Sequence, residues 1–215
     1  MTIALDKLLE SPQLVLYYEQ IRDLLAEEQK RRAEFYAQID EDHKVEFING
    51  ATIFQSPVKL RHSEAAQDLQ MLLRLYVRKH QLGLVGFEKL LVSLTRNDYE
   101  PDICFFRQEI AATFSPDQMH FPAPDFVAEV LSPSTEATDR GVKFTDYAAH
   151  GVREYWIIDP DAQVVEQYVL ADGVYTLQIK ARSGEITSSA VAGFSIPIRA
   201  LFEPEEHQRA LHNLV

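Results

Sequence analysis

The sequence predicts an α/β fold in which helices flank a mixed sheet and antiparallel hairpins lie at the sheet edges. Three observations support this fold class. The chain has 215 residues, 46% of them hydrophobic, and can bury a sizeable core as one domain. Its centre has a helical pattern, three apolar strand patterns, a second helix and a further strand. Asn-Gly and Asp-Gly pairs mark tight turns between strand patterns.

The N-terminal segment has the pattern of a long helix. Ser11 before Pro12 is a helix-start signal, and apolar residues follow at helical spacing, namely Leu14, Tyr17, Ile21, Leu24 and Leu25. After Leu25 the segment is highly charged, which suits a surface or subunit contact better than a core. We therefore expect residues 1–40 to form a helical extension and residues 41–215 to form the main domain.

The later elements follow in chain order. "KVEFINGATIF" alternates around Asn-Gly and predicts a hairpin, and an apolar stripe from His62 to His80 predicts a helix. "LVGFEKLLVSL", "PDICFF" and "PDFVAEVL" each predict a buried strand. Residues 140–149 predict a helix that Gly151 ends in a left-handed conformation. "EYWIID" predicts another strand, "VVEQYVLADGVYTLQI" a second hairpin, and "FSIPI" precedes a short charged tail.

Charge and composition limit the classes of function. The formal net charge of −12 counts against a simple DNA-binding module, although clustered carboxylates can still bind divalent cations. The single cysteine, Cys104, cannot form an internal disulfide, and the sequence has no Cys/His cluster of the zinc type. No stretch reaches the roughly 18 apolar residues of a membrane span, and the N-terminus lacks a signal-peptide pattern. We expect a cytoplasmic protein without a membrane contact.

Two carboxylates stand at the ends of predicted strands. Asp102 begins "DICFF" and Glu129 lies near the end of "DFVAEVL". Two carboxylates held close together repel unless a divalent cation lies between them, and such oxygen ligands suit Mg²⁺ or Mn²⁺. An ion of this kind can activate water for phosphodiester hydrolysis. In the structural alternatives, Asp102 caps a turn after Pro101 and Glu129 pairs with a basic residue such as Arg153.

Several motifs in fixed order resemble a known family. "VEFINGATIF", "RHSEAAQDL", "EPDICFF", "PDFVAEVLSPST" and "DRGVKFTDYAAHGVREYWIIDP" resemble the Uma family, also known as domain of unknown function 820, over residues 44–203. Pro101-Asp102 followed by an acid on a later strand also resembles the PD-(D/E)XK superfamily. The order helix, three strands, helix, strand is that superfamily's core. The resemblance therefore implies a restriction-endonuclease-like fold.

The resemblance also implies an activity and a site. It implies an endonuclease that depends on Mg²⁺ or Mn²⁺ and hydrolyses phosphodiester bonds in nucleic acid, with DNA as the expected substrate. The implied metal ligands are Asp102, Glu129 and the backbone carbonyl of Val130. The superfamily has a lysine two residues after the acid, where this sequence has Leu131. The resemblance points instead to Lys143 on the next helix as the catalytic lysine.

Two alternatives concern the neighbours of Lys143 on its helix. Tyr147 is four residues later and would share a helix face with Lys143, where its hydroxyl would orient the ammonium group. Asp139 is four residues earlier and would form an ordinary exposed ion pair with the lysine.

Two secondary site candidates lie in the N-terminal half. His62 falls on the apolar stripe of its helix, where it is either a core residue or a contact to a metal-bound water or a phosphate. Glu64 points away from His62 and is expected to be solvated. Glu46 alternates with Val45 and Phe47 in the first strand and is a candidate site carboxylate.

Two further functions remain open besides hydrolysis. Leu131 and the acidic composition also suit a nuclease-fold protein that binds nucleic acid or a protein partner without cutting. The third possibility is an assembly protein whose sheet is a scaffold. Whichever of the three functions holds, we expect a homo-oligomer, and specifically a dimer, formed through the N-terminal helix.

Overall fold

The computed structural model describes residues 2–39 and 43–214, with side chains from residue 5 onward. The helices of this part of the chain are α1 (Thr2–Leu9), α2 (Leu14–Gln38), α3 (Leu60–Lys79), α4 (Gln108–Ala111), α5 (Glu136–Thr138), α6 (Phe144–Ala149) and α7 (Pro204–Leu214). A π-helical turn spans Asp139–Lys143, and a 3₁₀ turn spans Ile198–Leu201.

Thirteen strands are present in the same residues. They are β1 (Val45–Ile48), β2 (Ala51–Phe54), β3 (Gly83–Phe87), β4 (Leu91–Ser93), β5 (Asp98–Tyr99), β6 (Ile103–Arg107), β7 (His120–Phe121), β8 (Phe126–Val130), β9 (Glu154–Asp159), β10 (Val164–Ala171), β11 (Val174–Ala181), β12 (Glu185–Thr187) and β13 (Ser195–Pro197).

Two larger sheets and one short strand pair organise the chain. The six-stranded sheet has the order β11-β10-β9-β8-β6-β3, and the five-stranded sheet has the order β2-β1-β5-β4-β7. In the six-stranded sheet β8 and β9 run parallel, and the other neighbouring strands run antiparallel. The mixed sheet with its helices confirms the predicted α/β class. The elements α3, β3, β6, β8, α6 and β9 also follow the predicted order.

The six-stranded sheet is covered on both faces. On one face Ala128, Val130 and Trp156 pack in a buried cluster with the apolar stripe of α3. On the other face Val127 and Tyr155 pack in a second cluster with Tyr147 of α6, and these core side chains are almost fully buried. Since alternate residues face opposite sides of a strand, β8 and β9 need apolar residues on both sides.

Alternation also explains why the two predicted acids share a side of the sheet. Glu129 is two residues after Val127 in β8, and Asp102 is two residues before Cys104 in β6. Val127 and Cys104 both belong to the cluster on the α6 side. The two carboxylates therefore project toward α6 and the π-helical turn before it.

Both predicted hairpins are confirmed at their turn residues. Asn49 (φ 50°) and Gly50 (φ 81°) join β1 to β2, and Asp172 (φ 50°) and Gly173 (φ 79°) join β10 to β11. Two successive residues with positive φ are the signature of the tight turn that matches the twist of paired strands. Gly151 also has a positive φ of 77° just after α6, as its position predicted.

Two predicted elements are wrong in detail. "LVGFEKLLVSL" forms two strands, β3 and β4, in different sheets rather than one, because Glu88 adopts a left-handed φ of 50° and turns the chain. The helix predicted for residues 140–149 is α-helical only from Phe144, because the preceding residues form the π-helical turn.

The predicted N-terminal helix is confirmed as α2, whose two halves differ in environment. Phe35 is buried in a cluster with Val45 and Phe47, and Arg32 lies 2.6 Å from Asp98 of β5. The first half of α2 exposes large apolar side chains, among them Tyr18 at 62%. The division of the chain at residue 40 stays a prediction, and residue 40 lies outside the described residues. Among the described helices, none has the length and apolar content to cross a membrane.

Candidate active site

Asp102 and Glu129 lie side by side because β6 and β8 are antiparallel neighbours. Ile103 is opposite Ala128, so the residues just before β6 meet the end of β8. The Asp102 amide donates to Glu129 Oε2 at 3.2 Å, and the Val130 amide donates to Asp102 Oδ2 at 2.8 Å. Both acids are buried, at 5% and 2% exposure. The structure thus brings together the three residues that were predicted as metal ligands.

Lys143 reaches the same carboxylates from the π-helical turn. Its Nζ lies 3.1 Å from Glu129 Oε1, 2.9 Å from Glu46 Oε1 and 3.2 Å from Asp139 Oδ1. The exposed pair with Asp139 is wrong as an alternative, because these two side chains are only 3% and 1% exposed. A π-helical turn is rare and occurs often at functional sites.

Glu46 and Tyr147 complete the surroundings of Lys143 and Glu129. Glu46 is fully buried, and its two oxygens accept hydrogen bonds from the Glu100 amide at 3.0 Å and from Gln55 Nε2 at 2.9 Å. The Tyr147 hydroxyl donates to Glu129 Oε1 at 3.4 Å. Tyr147 therefore contacts the acid, whereas the sequence suggested that it would orient the ammonium group directly.

Asp102 has two basic neighbours. Lys44 Nζ lies 2.7 Å from its Oδ1, and His62 Nε2 lies 3.4 Å from its Oδ2. The Nδ1 of His62 is buried and has no hydrogen bond among the described residues. Lys44 was missed as a site residue, yet the alternation in "KVE" places it on the same side of the first strand as Glu46.

Asp139 is the second residue that sequence reasoning did not assign to the site. It is 1% exposed, and its carboxylate contacts the Lys143 ammonium as an ion pair at 3.2 Å from Oδ1. Burial raises the pKa of Asp139, and the charges of Asp102 and Glu46 raise it further, against the opposing effect of Lys143. Its spacing of four residues from Lys143 was the only sequence signal.

Other sequence expectations fall outside this cluster. Glu64 is exposed, as expected. Leu131 is 7% exposed and belongs to the apolar cluster on the α6 side. Arg153 lies 4.0 Å from Asp125 and donates to the Ala190 carbonyl at 3.2 Å. Glu129 instead takes Lys143 as its cationic partner, so the alternative pairing with Arg153 is wrong.

The acids in this site have opposite pKa shifts. Burial raises the pKa of Glu129 to about 8; the Lys143 charge acts to lower it, and the neighbouring acids Asp139 and Asp102 act to raise it. Burial also acts to raise the pKa of Asp102, but the His62 hydrogen bond and the Lys44 charge hold it below its usual range. Burial acts to lower the pKa of Lys143, yet three carboxylates, Glu129 first, raise it well above its usual value. Lys143 is therefore held as an ammonium ion.

We call the group of two lysines and four acids the acid–lysine cluster; its members are Lys44, Lys143, Glu46, Asp102, Glu129 and Asp139. With all six ionised, two negative charges remain unbalanced. A cavity of about 40 Å³ borders five of these side chains, with His62 and Thr135 also in its wall. A cavity of this size holds about one water molecule.

The cluster fits a divalent cation in charge and in ligand chemistry. A divalent cation would supply the two missing positive charges, and carboxylate oxygens are the ligands that Mg²⁺ and Mn²⁺ prefer. Asp139, which is paired with Lys143, adds a further carboxylate to the wall of the cavity. Within residues 2–39 and 43–214, no three His, Cys, Asp or Glu side chains form a ready-made metal group. The lysine ammonium groups contact the carboxylates instead.

An α/β core of this order, with adjacent acids and a buried lysine at one sheet end, defines a protein of the restriction-endonuclease-like class. The chain belongs to the Uma2 family: the family model, described as "putative restriction endonuclease", matches residues 32–199. This match confirms the family that the sequence motifs suggested.

Two known proteins are similar to this chain. An uncharacterized protein of Synechocystis sp. is 30% identical over 127 residues, which span 58% of this chain and 71% of the relative. The crystal structure of a putative nuclease of the DUF820 family from Anabaena variabilis superposes with a TM-score of 0.68 and 21% identity. The superposition covers 79% of this chain and 96% of the Anabaena chain, and it confirms the predicted fold.

Proposed function

We propose that this protein is a cytoplasmic endonuclease that uses Mg²⁺ or Mn²⁺ to hydrolyse phosphodiester bonds in nucleic acid, with DNA as its substrate. The observation that carries the proposal is the buried pair Asp102 and Glu129 beside the Lys143 ammonium, in a cluster that has four acids and two lysines. The membership of the Uma2 family gives independent support.

The proposed cation ligands are the carboxylates of Asp102 and Glu129 and the backbone carbonyl of Val130. The bound cation would supply a Lewis acid and lower the pKa of a water molecule that attacks the phosphate. A bound cation would lower the pKa of Glu129 and so favour its ionised form. Burial at this end of the sheet would strengthen the interaction of every charge in the site with the substrate.

Lys143 would act as a fixed positive charge rather than as a base. Its raised pKa keeps the proton on Nζ, so it cannot accept a proton from water near neutral pH. Glu46 and Asp139 hold the ammonium beside Glu129, which orients the carboxylate for the cation. Tyr147 restrains the same Glu129 oxygen from the side of α6.

One observation favours the alternative of binding without cleavage. An ammonium group has three hydrogens, and Lys143 Nζ already lies within 3.2 Å of three carboxylates. A lysine surrounded in this way interacts with protein carboxylates rather than with a substrate phosphate. This alternative predicts that the protein binds nucleic acid or a protein partner and never hydrolyses it.

Incubation with labelled DNA and RNA, single-stranded, duplex and branched, tests the proposal. With Mg²⁺ or Mn²⁺ the protein is expected to produce shorter fragments of DNA, and with EDTA it is expected to leave the substrates intact. Asp102→Asn should remove cleavage, whereas Asp117→Asn, at an exposed position, should preserve it. Binding by the wild-type protein without cleavage of any substrate would establish the alternative.

We also propose that the protein is a dimer in which the first half of α2 pairs with the same segment of a second copy. Apolar side chains are exposed at helical spacing there, namely Tyr18 (62%), Ile21 (47%), Leu24 (50%) and Leu25 (40%). The same helix face continues into Phe35, which packs on the chain's own small sheet. Leu5 and Leu9 of α1 and Val15 and Leu16 of α2 are exposed as well.

Light scattering after size exclusion tests the dimer. The wild-type chain is expected to have the mass of two copies, and Ile21→Glu is expected to have the mass of one. Leu177→Glu is a matched control on another exposed apolar residue, 46% exposed in β11, and should stay dimeric. A monomeric wild-type protein at micromolar concentration would contradict the proposal.

A further inference from the structure

The two lysines of the acid–lysine cluster have different environments. The Lys143 side chain is 3% exposed and is in contact with three carboxylates. The Lys44 side chain is 23% exposed, and its contact with a carboxylate among the described residues is the one to Asp102 Oδ1 at 2.7 Å. Lys44 also borders the cavity. Lys44 therefore has solvent access, and within the described residues it has ammonium hydrogens that no carboxylate takes.

His62 lies on the opposite oxygen of the same acid. Its Nε2 is 3.4 Å from Asp102 Oδ2, its side chain is 11% exposed, and it borders the cavity together with Ser56 and Thr135. Its Nδ1 is buried without a hydrogen bond among the described residues, although a buried ring nitrogen normally has a partner. The Lys44 ammonium group and the His62 ring thus lie on either side of the Asp102 carboxylate at the cavity.

We propose that Lys44 and His62 form a phosphate-binding subsite, and that Lys44 rather than Lys143 contacts the phosphodiester group of the substrate. This inference rests on the proposed endonuclease function and assigns the substrate contact within the same site. Lys143 positions Glu129, and Lys44 carries the positive charge that reaches the substrate. A lysine serves this purpose well because its ammonium group interacts with phosphate as a point charge.

The dependence of DNA affinity on salt concentration measures this contact. Each lysine–phosphate contact with duplex DNA adds about 0.9 to the slope of log affinity against log salt concentration. Fluorescence anisotropy with a labelled DNA duplex, in a buffer with Ca²⁺, is expected to give a slope about 0.9 smaller for Lys44→Gln than for the wild-type protein. Between 50 and 200 mM salt, the wild-type protein would then lose about 3.5-fold more affinity than this variant.

Two variants serve as controls for the slope. Lys44→Arg keeps the charge and should restore the wild-type slope. Lys180→Gln removes a 59% exposed charge on β11 and should also leave it unchanged. An unchanged slope for Lys44→Gln would overturn the subsite, whereas a wild-type protein that binds no nucleic acid would overturn the endonuclease proposal as well.

A second measurement uses the wild-type chain and does not depend on the folding of a variant. Acetylation of lysines, quantified by mass spectrometry, is expected to be slowed at Lys44 when the DNA duplex is bound. Acetylation of Lys180 should proceed at the same rate with and without DNA. Equal acetylation of Lys44 in free and bound protein would also overturn the subsite.

Discussion

Lys143 Nζ lies 3.1 Å from Glu129 Oε1, although the lysine comes from a π-helical turn and the acid from strand β8. In the superfamily pattern that the sequence resembles, the lysine is two residues after the acid, and here Leu131 occupies that place. The lysine that contacts the acid therefore comes from the next helical segment and not from the strand itself. Both side chains are buried.

Lys143→Met is expected to destabilise the folded protein. Removing one partner of a buried ion pair leaves an uncompensated charge and lowers the free energy of unfolding by about 3–5 kcal/mol. Lys143 contacts three acids. Urea unfolding followed by circular dichroism measures this change. Lys30→Met is the control, because Lys30 is 74% exposed in a surface pair, and it should change the free energy of unfolding by no more than about 0.5 kcal/mol. A Lys143→Met protein as stable as the wild type would argue against the buried cluster.

Asp102→Asn is expected to remove cation binding while the fold remains. Asparagine keeps the shape of the side chain and an acceptor for the Val130 amide, but it lacks the charge that attracts a divalent ion. Isothermal titration calorimetry with Mn²⁺ should show binding by the wild-type protein and by Asp117→Asn, at an exposed position. Equal Mn²⁺ affinity of Asp102→Asn and the wild type would place the cation elsewhere.

Glu166 is expected to make the stability depend on pH in the acidic range. Burial acts to raise its pKa, but hydrogen bonds from Arg140, Tyr168 and Lys180 lower it from 4.5 to about 2. A lowered pKa in the folded state means that the carboxylate stabilises the fold above pH 4.5 and that this contribution disappears as the pH falls toward 2.

Glu166→Gln tests this dependence. The variant should unfold at lower urea concentration than the wild type at pH 7, and the difference should shrink between pH 4.5 and pH 2. Glu185→Gln, at an exposed position on β12, should show no such trend. A difference between Glu166→Gln and the wild type that is constant with pH would mean that the ionised carboxylate contributes nothing.

Gly50→Ala is expected to destabilise the contact between α2 and the first hairpin. Gly50 has a φ of 81°, and a Cβ atom there would lie 2.8 Å from Glu28 Cγ. The left-handed backbone alone costs an alanine about 1–2 kcal/mol. Gly141→Ala is the matched control because a Cβ atom there meets no heavy atom within 4 Å and the backbone is helical. Thermal unfolding should separate the two variants, and equal melting temperatures would contradict this explanation.

The fold could be predicted largely from local patterns. Alternating apolar residues identified β6, β8 and β9, and the two Gly-containing turns fixed both hairpins, because each depends on neighbours in sequence. The split between β3 and β4 was missed. Leu84 and Leu91 are both apolar strand residues, and their pattern does not state which sheet each strand joins.

The site could be predicted only in part, because some of its contacts join residues that are far apart in the sequence. Asp102 and Glu129 stand at strand ends and could be named from the motifs, and Lys143 could be named from the resemblance. Lys44 joins Asp102 across 58 residues of sequence, and this contact depends on how the two sheets meet. Asp139 is buried because it lies in the π-helical turn. Such turns are rare, and the spacing of residues in the sequence does not predict where one forms.

The most direct test of the proposed active site compares single-turnover cleavage of DNA by the wild-type protein and by Glu129→Gln, both with Mn²⁺. Glutamine keeps the size of the side chain but removes the charge that would bind the cation. The proposal predicts cleavage by the wild type that EDTA stops, and a rate at least about 100-fold lower for the variant. Cleavage by Glu129→Gln at the wild-type rate, or no cleavage of any nucleic acid by the wild type, would contradict it.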